Sequence, residues 1–146
     1  MRCCAFAWLV VGLALATPSL ARAQDSTQRG GQVELLQNYP NPFNPTTTIP
    51  FRLSLSLFAN GHRPVVSLRI YNILAQLVAI PTLQGTGQPL SGVPVDCVQQ
   101  DGGYCEFSAY WDGNYLTTGR EAASGIYVYQ LVVDGVRQSK KMVVTK

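Results

Sequence analysis

From Val33 onward the chain alternates apolar and polar positions with period two, and no stretch carries the spacing of an amphipathic helix. In "TIPFRL", Ile49, Phe51 and Leu53 share one face while Pro50 and Arg52 take the other. Pro50 cannot donate to a ladder, so this strand is expected at a sheet edge or with its missing N–H turned to solvent. "VSLRIYN" turns Val66, Leu68 and Ile70 inward against Ser67, Arg69 and Tyr71. "YCEFSAYW" sets Cys105, Phe107, Ala109 and Trp111 against Tyr104, Glu106, Ser108 and Tyr110. The closing pair, "IYVYQLVV" and "VRQSKKMVVTK", is joined by Asp134-Gly135, a strong hairpin signal. It is expected to bury Ile126 and Val128, or their alternates.

Two more runs, "QLVAI" and "VPVDCV", have strand character. Turns separate them: Asn60-Gly61, a reversal over 72–75, and the turn-rich "WDGNYLTTGREAASG". The stretch 81–92, rich in Gly, Pro, Thr and Gln, reads as a long surface loop. About seven short strands without a helix predict an all-β fold, an antiparallel β-sandwich of immunoglobulin-like type, with a barrel as the alternative.

Ahead of the strands the chain reads differently. Arg2 is followed by an apolar run over 5–16, then Pro18 and Ser19, then Ala21-Arg22-Ala23. That is the layout of a secretory signal peptide over 1–23, cleaved after Ala23, with Ala21 and Ala23 as the small residues read at the cut. The run is too short to span a bilayer, which takes about 20 apolar residues. Residues 24–32 are a polar, glycine-bearing leader, and 33–146 form the expected domain. The chain is thus expected to reach the periplasm and then the cell surface or medium, without a membrane span in the mature part.

Removing the signal changes the charge picture. Cleavage takes away Arg2 and Arg22, leaving nine basic residues against eight acidic ones in 123 residues. Only Lys140-Lys141 form a cationic pair, so no nucleic-acid surface is expected. Cys3 and Cys4 leave with the signal. Cys97 and Cys105 remain, eight residues apart around Asp101-Gly102-Gly103, and read as a disulfide across a hairpin in an oxidising compartment. They do not form C-x-x-C and no histidine accompanies them, which argues against a metal or redox site.

No catalytic constellation is evident, and neither an enzyme activity nor a cofactor is expected. His62 is the sole histidine and falls beside a turn. Ser124 lacks a nucleophile elbow and a partner base. Asp101, Asp112 and Asp134 each precede glycine, where an aspartate caps a turn. Trp111 could stack on a sugar, but its alternation with Phe107 and Ala109 places it in the core.

Five segments in order carry a resemblance: "NYPNPFNPTTTIPF", "VSLRIYNILAQLV", "YWDG", "ASGIYVYQL" and "KKMVVTK". Together they resemble the C-terminal sorting domain (type A) of the bacterial type IX secretion system, related in fold to the immunoglobulin-like domain of flagellar hook-capping proteins. The resemblance spans about residues 35–146. It implies a non-catalytic module recognised by the secretion machinery at the outer membrane, with a cargo protein or surface polysaccharide as further partners. The recognition surface it implies is the stiff loop Tyr39, Pro40, Asn41, Pro42, Phe43, Asn44 and Pro45, with Lys146. Tyr39 and Phe43 are expected to pin this loop to the end of the sandwich.

The sequence departs from that pattern in three places. Only the short leader separates Ala23 from the first motif, where the family carries a cargo domain. Ala75 stands where the family usually has glycine, and 81–105 is longer than usual and carries the cysteines. A stand-alone extracellular adhesion or carbohydrate-binding sandwich is the second functional class left open.

Overall fold

The computed structural model describes residues 31–146. The expected signal peptide, its cleavage residues Ala21 and Ala23, and most of the leader lie outside the described residues. Ten β-segments form two antiparallel five-stranded sheets. The first sheet joins β1 (Val33–Leu35), β2 (Thr47–Ser54), β8 (Tyr104–Trp111) and β5 (Thr82–Leu83), with β7 (Gln100–Asp101) also on β8. The second joins β10 (Val136–Val144), β9 (Gly125–Val133), β3 (Val65–Tyr71) and β4 (Leu77–Ala79), with β6 (Val93–Pro94) on β3. Neither sheet closes on itself, so the fold is a β-sandwich. Six of the seven expected strands have three or more residues; the seventh, in "VPVDCV", is reduced to the two-residue β6, while β1, β5 and β7 are strands that were not expected.

The period-two pattern does what it predicts. Ile49, Phe51 and Leu53 of β2 are fully buried against the other sheet's Val66, Leu68 and Ile70. Burial of each such side chain contributes about 1.5–3 kcal/mol. The Asp134-Gly135 turn takes positive φ at both residues, 47° and 85°, and closes a nine-residue ladder from Val133↔Val136 to Gly125↔Val144.

In β9 the alternate phase is the inward one. Tyr127, Tyr129, Leu131 and Val133 are buried, while Ile126 is 52% exposed. Both phases of "IYVYQLVV" are apolar except for Gln130, which would enter the core if Ile126 and Val128 did. The tyrosines tolerate burial because each hydroxyl finds a partner. Tyr127 Oη donates to the Ala123 carbonyl at 2.8 Å, and Tyr129 Oη donates to the Leu36 carbonyl at 2.8 Å.

Pro50 corrects a second expectation. β2 is internal, with β1 on one side and β8 on the other. Leu36 N donates to Pro50 O at 3.0 Å, so Pro50 turns its backbone toward the β1 side. The bond that Pro50 N would have returned to Leu36 O is replaced by the Tyr129 hydroxyl, which also accepts from Asn38 N at 3.0 Å. Tyr129, from the opposite sheet, thus supplies the donor that proline lacks.

The stretch 81–92 is not only surface. Leu90 is fully buried, and its carbonyl accepts from Leu68 N at 2.9 Å. Of "VPVDCV" only Val93–Pro94 is strand. A 3-10 segment, Leu55–Gly61, precedes the Asn60-Gly61 turn, so the chain is not wholly without helical turns.

The Cys97–Cys105 disulfide is present, with Cα atoms 5.5 Å apart. Gln100, not Cys97, sits opposite Cys105 in the hairpin, so the bridge ties the segment leading into the hairpin back onto β8. A loop this short contributes about 2–3 kcal/mol on the chain-entropy argument.

Candidate functional site: the loop pole of the sandwich

At one end of the sandwich β2 begins, β8 ends, β9 begins and β10 ends, as the pairs Thr47↔Trp111 and Gly125↔Val144 show. The stiff loop, the 112–124 connection and the C-terminus therefore meet there. Within the loop the three X–Pro bonds, Tyr39-Pro40, Asn41-Pro42 and Asn44-Pro45, are all cis. Asn38 and Thr47 close its base and are both buried. Asn38 Nδ2 donates to Thr47 Oγ1 at 3.0 Å and to Pro40 O at 3.2 Å, and the Thr47 hydroxyl lies 3.1 Å from Pro40 O. The sequence reading missed both residues. The available signal was their position at the two ends of the proline run, where short polar side chains bond to local backbone.

Phe43 is the anchor. It is buried, with its ring edge-on to Trp111 at 5.3 Å, and Trp111 in turn meets Tyr127 at 5.9 Å. Phe43 N donates to Val143 O and Thr145 N donates to Phe43 O, each at 3.0 Å, so the loop pairs in parallel with the last residues of β10. Asn41 Oδ1 accepts from Val143 N at 3.0 Å. The loop thereby covers the end of an edge strand that would otherwise be open. Trp111 is core, as alternation requires, and its Nε1 donates to Asn114 O at 3.0 Å.

Gly113 completes the seat. Its φ is +80°, and a Cβ there would lie 1.9 Å from the Pro45 carbonyl oxygen. The close approach of "YWDG" to the proline loop depends on a residue without a side chain. Asp112 caps this turn, accepting from Asn114 N at 2.9 Å. Behind it, Tyr115 Oη and Tyr127 Oη are 3.1 Å apart, and burial pushes the Tyr127 phenol well above its ordinary range. Burial also pushes Tyr129 up, to about 12, against the lowering bond from Asn38.

Phe43 alone of the eight expected recognition residues is buried. Tyr39 is 57% exposed and does not pin the loop; its backbone, paired with Thr48, holds instead. Pro40, Asn41, Pro42, Asn44 and Pro45 are exposed, and Lys146 lies on the surface with its Nζ 3.1 Å from Glu121 Oε2. Asn41 carries a structural bond as well as an exposed face. The same pole presents Ile73, Leu74, Leu116 and Ile126, each more than half exposed. These were not singled out from sequence; apolar residues inside turn segments were the available signal.

The 72–76 turn lies at this pole too, where β3 ends opposite β9. Asn72 Oδ1 accepts from Leu74 N and Gln76 N, both at 3.0 Å, and Ala75 takes φ +58°. At the far pole, His62 Nε2 lies 2.8 Å from Asp134 Oδ2, and Asp134 Oδ1 accepts from Val65 N at 3.0 Å. Asp134 therefore bridges to β3 as well as standing in its own turn. The described chain also begins at that pole, with Ser54 N donating to Gln32 O at 2.8 Å. Among the described residues no group of three or more His, Cys, Asp or Glu is placed to hold a metal, and no helix is long and apolar enough to cross a membrane.

No protein-family model and no curated protein matches the chain. Two solved structures resemble it in part. One is PorZ, an essential bacterial surface component of the type-IX secretion system of Porphyromonas gingivalis, 16% identical with a TM-score of 0.42, over 83% of this chain and 12% of that one. The other is the alkylpurine DNA glycosylase AlkC of Pseudomonas fluorescens bound to DNA, 15% identical with a TM-score of 0.45, over 85% of this chain and 36% of that one. The chain thus spans a minor part of either protein, and neither protein's function transfers at this level of likeness.

Proposed function

We propose that this chain is a non-catalytic sorting and interaction module that directs export across the outer membrane by the type IX route. One observation carries the reading. Four of the five segments that carry the family resemblance meet at one pole through Phe43, Trp111, Gly113, Tyr127 and Val143–Val144 contacts, and the 72–76 turn of the fifth lies at the same pole. A core needs no such convergence of exposed prolines, asparagines and aliphatics, whereas a recognition surface does. The opposite pole receives the chain from its N-terminal side, so a protein joined there would leave the loop pole uncovered. The carbohydrate-binding alternative loses its best platform, because Trp111 is buried.

The test is a reporter bearing its own signal peptide, fused ahead of 32–146 in a host with a working type IX pathway. The intact segment is expected to carry the reporter across the outer membrane. Asn44→Ala and Leu74→Ser, both on exposed side chains, are expected to stay folded and leave more reporter in the periplasm. A reporter that stays periplasmic with the intact segment, while a known sorting domain exports it, refutes the proposal.

A further inference from the structure

The two sheets carry opposite charge. The strands of the second sheet hold Arg69, Arg137, Lys140 and Lys141 and no acid. Those of the first hold Arg52 against Glu34, Asp101 and Glu106, and Arg52 is taken up by Glu34 at 3.0 Å. A net charge near zero therefore hides a molecule polarised across its thickness.

The register puts three of the four cations on the outer face of the second sheet. Leu68, Ile70, Tyr129, Leu131 and Met142 are buried, so alternation turns Arg69, Arg137 and Lys141 away from the core. Across the strands, Tyr71, Val128 and Lys141 form one row, Arg69, Gln130 and Ser139 the next, and Ser67, Val132 and Arg137 the third. Strand and residue spacings set the Cα atoms of the three cations about 12–14 Å apart, with Val128 and Val132 among them. All three cations are exposed, and among the described residues none has an ion-pair partner.

Toward the loop pole the same face becomes apolar. Ile126 sits opposite Val143, and Leu77 extends the Tyr71 row onto β4. Past the strand ends the 72–75 turn carries Ile73 and Leu74, which are 76% and 72% exposed. The Asn72 carboxamide fixes this tip by accepting from Leu74 N and Gln76 N. Two aliphatic side chains are thus held in water on a rigid turn, where polar residues would cost nothing.

A partner for this corner must be anionic over a wide area and apolar beneath its charges. Cations pointing the same way from a sheet at this spacing match an array of anions rather than one enclosed ion. The aliphatic tip projects instead of forming a groove, so it enters a partner rather than receiving one. An anionic lipid surface offers both features, with separate phosphates for Arg69 and Lys141 and an acyl boundary for Ile73 and Leu74. We infer that the corner between the outer face of β3, β9 and β10 and the 72–75 turn docks on an anionic lipid bilayer. The inference does not depend on the sorting role, because a lipid vesicle contains no secretion machinery.

The probe is a sucrose-loaded vesicle of phosphatidylglycerol and phosphatidylcholine in equal parts, with pure phosphatidylcholine as the reference. Protein purified after export is followed by co-sedimentation. Binding to the anionic vesicles is expected at about 0.1 M salt and should weaken tenfold or more at about 0.5 M, as exposed charges are screened. Arg69→Gln and Lys141→Gln are each expected to weaken it about fivefold, and Ile73→Ser with Leu74→Ser about tenfold or more. Arg63→Gln removes the same charge at the far pole, and Asn44→Ala alters only the proline loop; both are expected to bind as the parent does. An unchanged urea midpoint shows that each variant is folded. The inference is overturned by equal binding to the two kinds of vesicle, or by equal losses from Arg63→Gln and Arg69→Gln. A soluble polyglutamate that binds as tightly as the anionic vesicles also overturns it, since the partner would then be an acidic protein segment.

Discussion

Replacing Gly113 with alanine tests whether the proline loop is held by a close backbone approach. Two costs add at this position. The residue sits at φ +80°, which for alanine costs roughly 1–2 kcal/mol. The new Cβ would also stand 1.9 Å from the Pro45 carbonyl oxygen, where ordinary contact begins at 3.4 Å. The obstacle is backbone, so the loop itself must move by more than an ångström, and that withdraws Phe43 from its place against Trp111. Losing half of one phenylalanine's burial adds about 0.8–1.5 kcal/mol. The expected total is about 3 kcal/mol, read as a lower midpoint in urea unfolding followed by Trp111 fluorescence.

Gly119→Ala is the control. It lies in the same connection at φ +65° with nothing within 4 Å of its would-be Cβ, so only the backbone cost of roughly 1–2 kcal/mol applies. Trp111 emission in the folded baseline should change for Gly113→Ala and not for Gly119→Ala. Equal losses of stability from the two substitutions would refute the reasoning, since the Pro45 contact would then contribute nothing.

Two further outcomes follow from the same geometry. Ala75→Gly should raise the unfolding midpoint by up to about 1 kcal/mol, because Ala75 holds φ +58° while the Asn72 cap needs no side chain at position 75; a lowered midpoint would contradict it. Tyr129→Phe should cost about 1–3 kcal/mol, since it leaves the Leu36 carbonyl and Asn38 N–H without the hydroxyl. Tyr129 ionises near 12 when folded, above its usual value near 10. Its contribution is therefore intact below about pH 10 and lost as pH rises toward 12. The variant's alkaline stability curve should be correspondingly flatter, and an unchanged curve would count against the bonding described.

The sequence by itself determined the sheet class, most inward faces and the two sharpest turns. Period two is a local property: Ile49, Phe51 and Leu53 face one way whatever they pack against. Asp134-Gly135 and Asp101-Gly102-Gly103 likewise dictate their reversals through positive φ. The cysteine pairing followed from spacing and expected compartment, and the proline loop was marked by its own composition. What only tertiary structure decided is where alternatives were locally equal or partners distant. Both phases of β9 are apolar, and the choice fell to hydroxyls that reach Ala123 and Leu36. Pro50 could lie inside a sheet because a tyrosine 79 positions later replaces its missing donor. Leu90 looked like loop until a core site opened for it. Gly113 and Pro45 gave no sign of each other, because a contact between them exists only after the two sheets have closed.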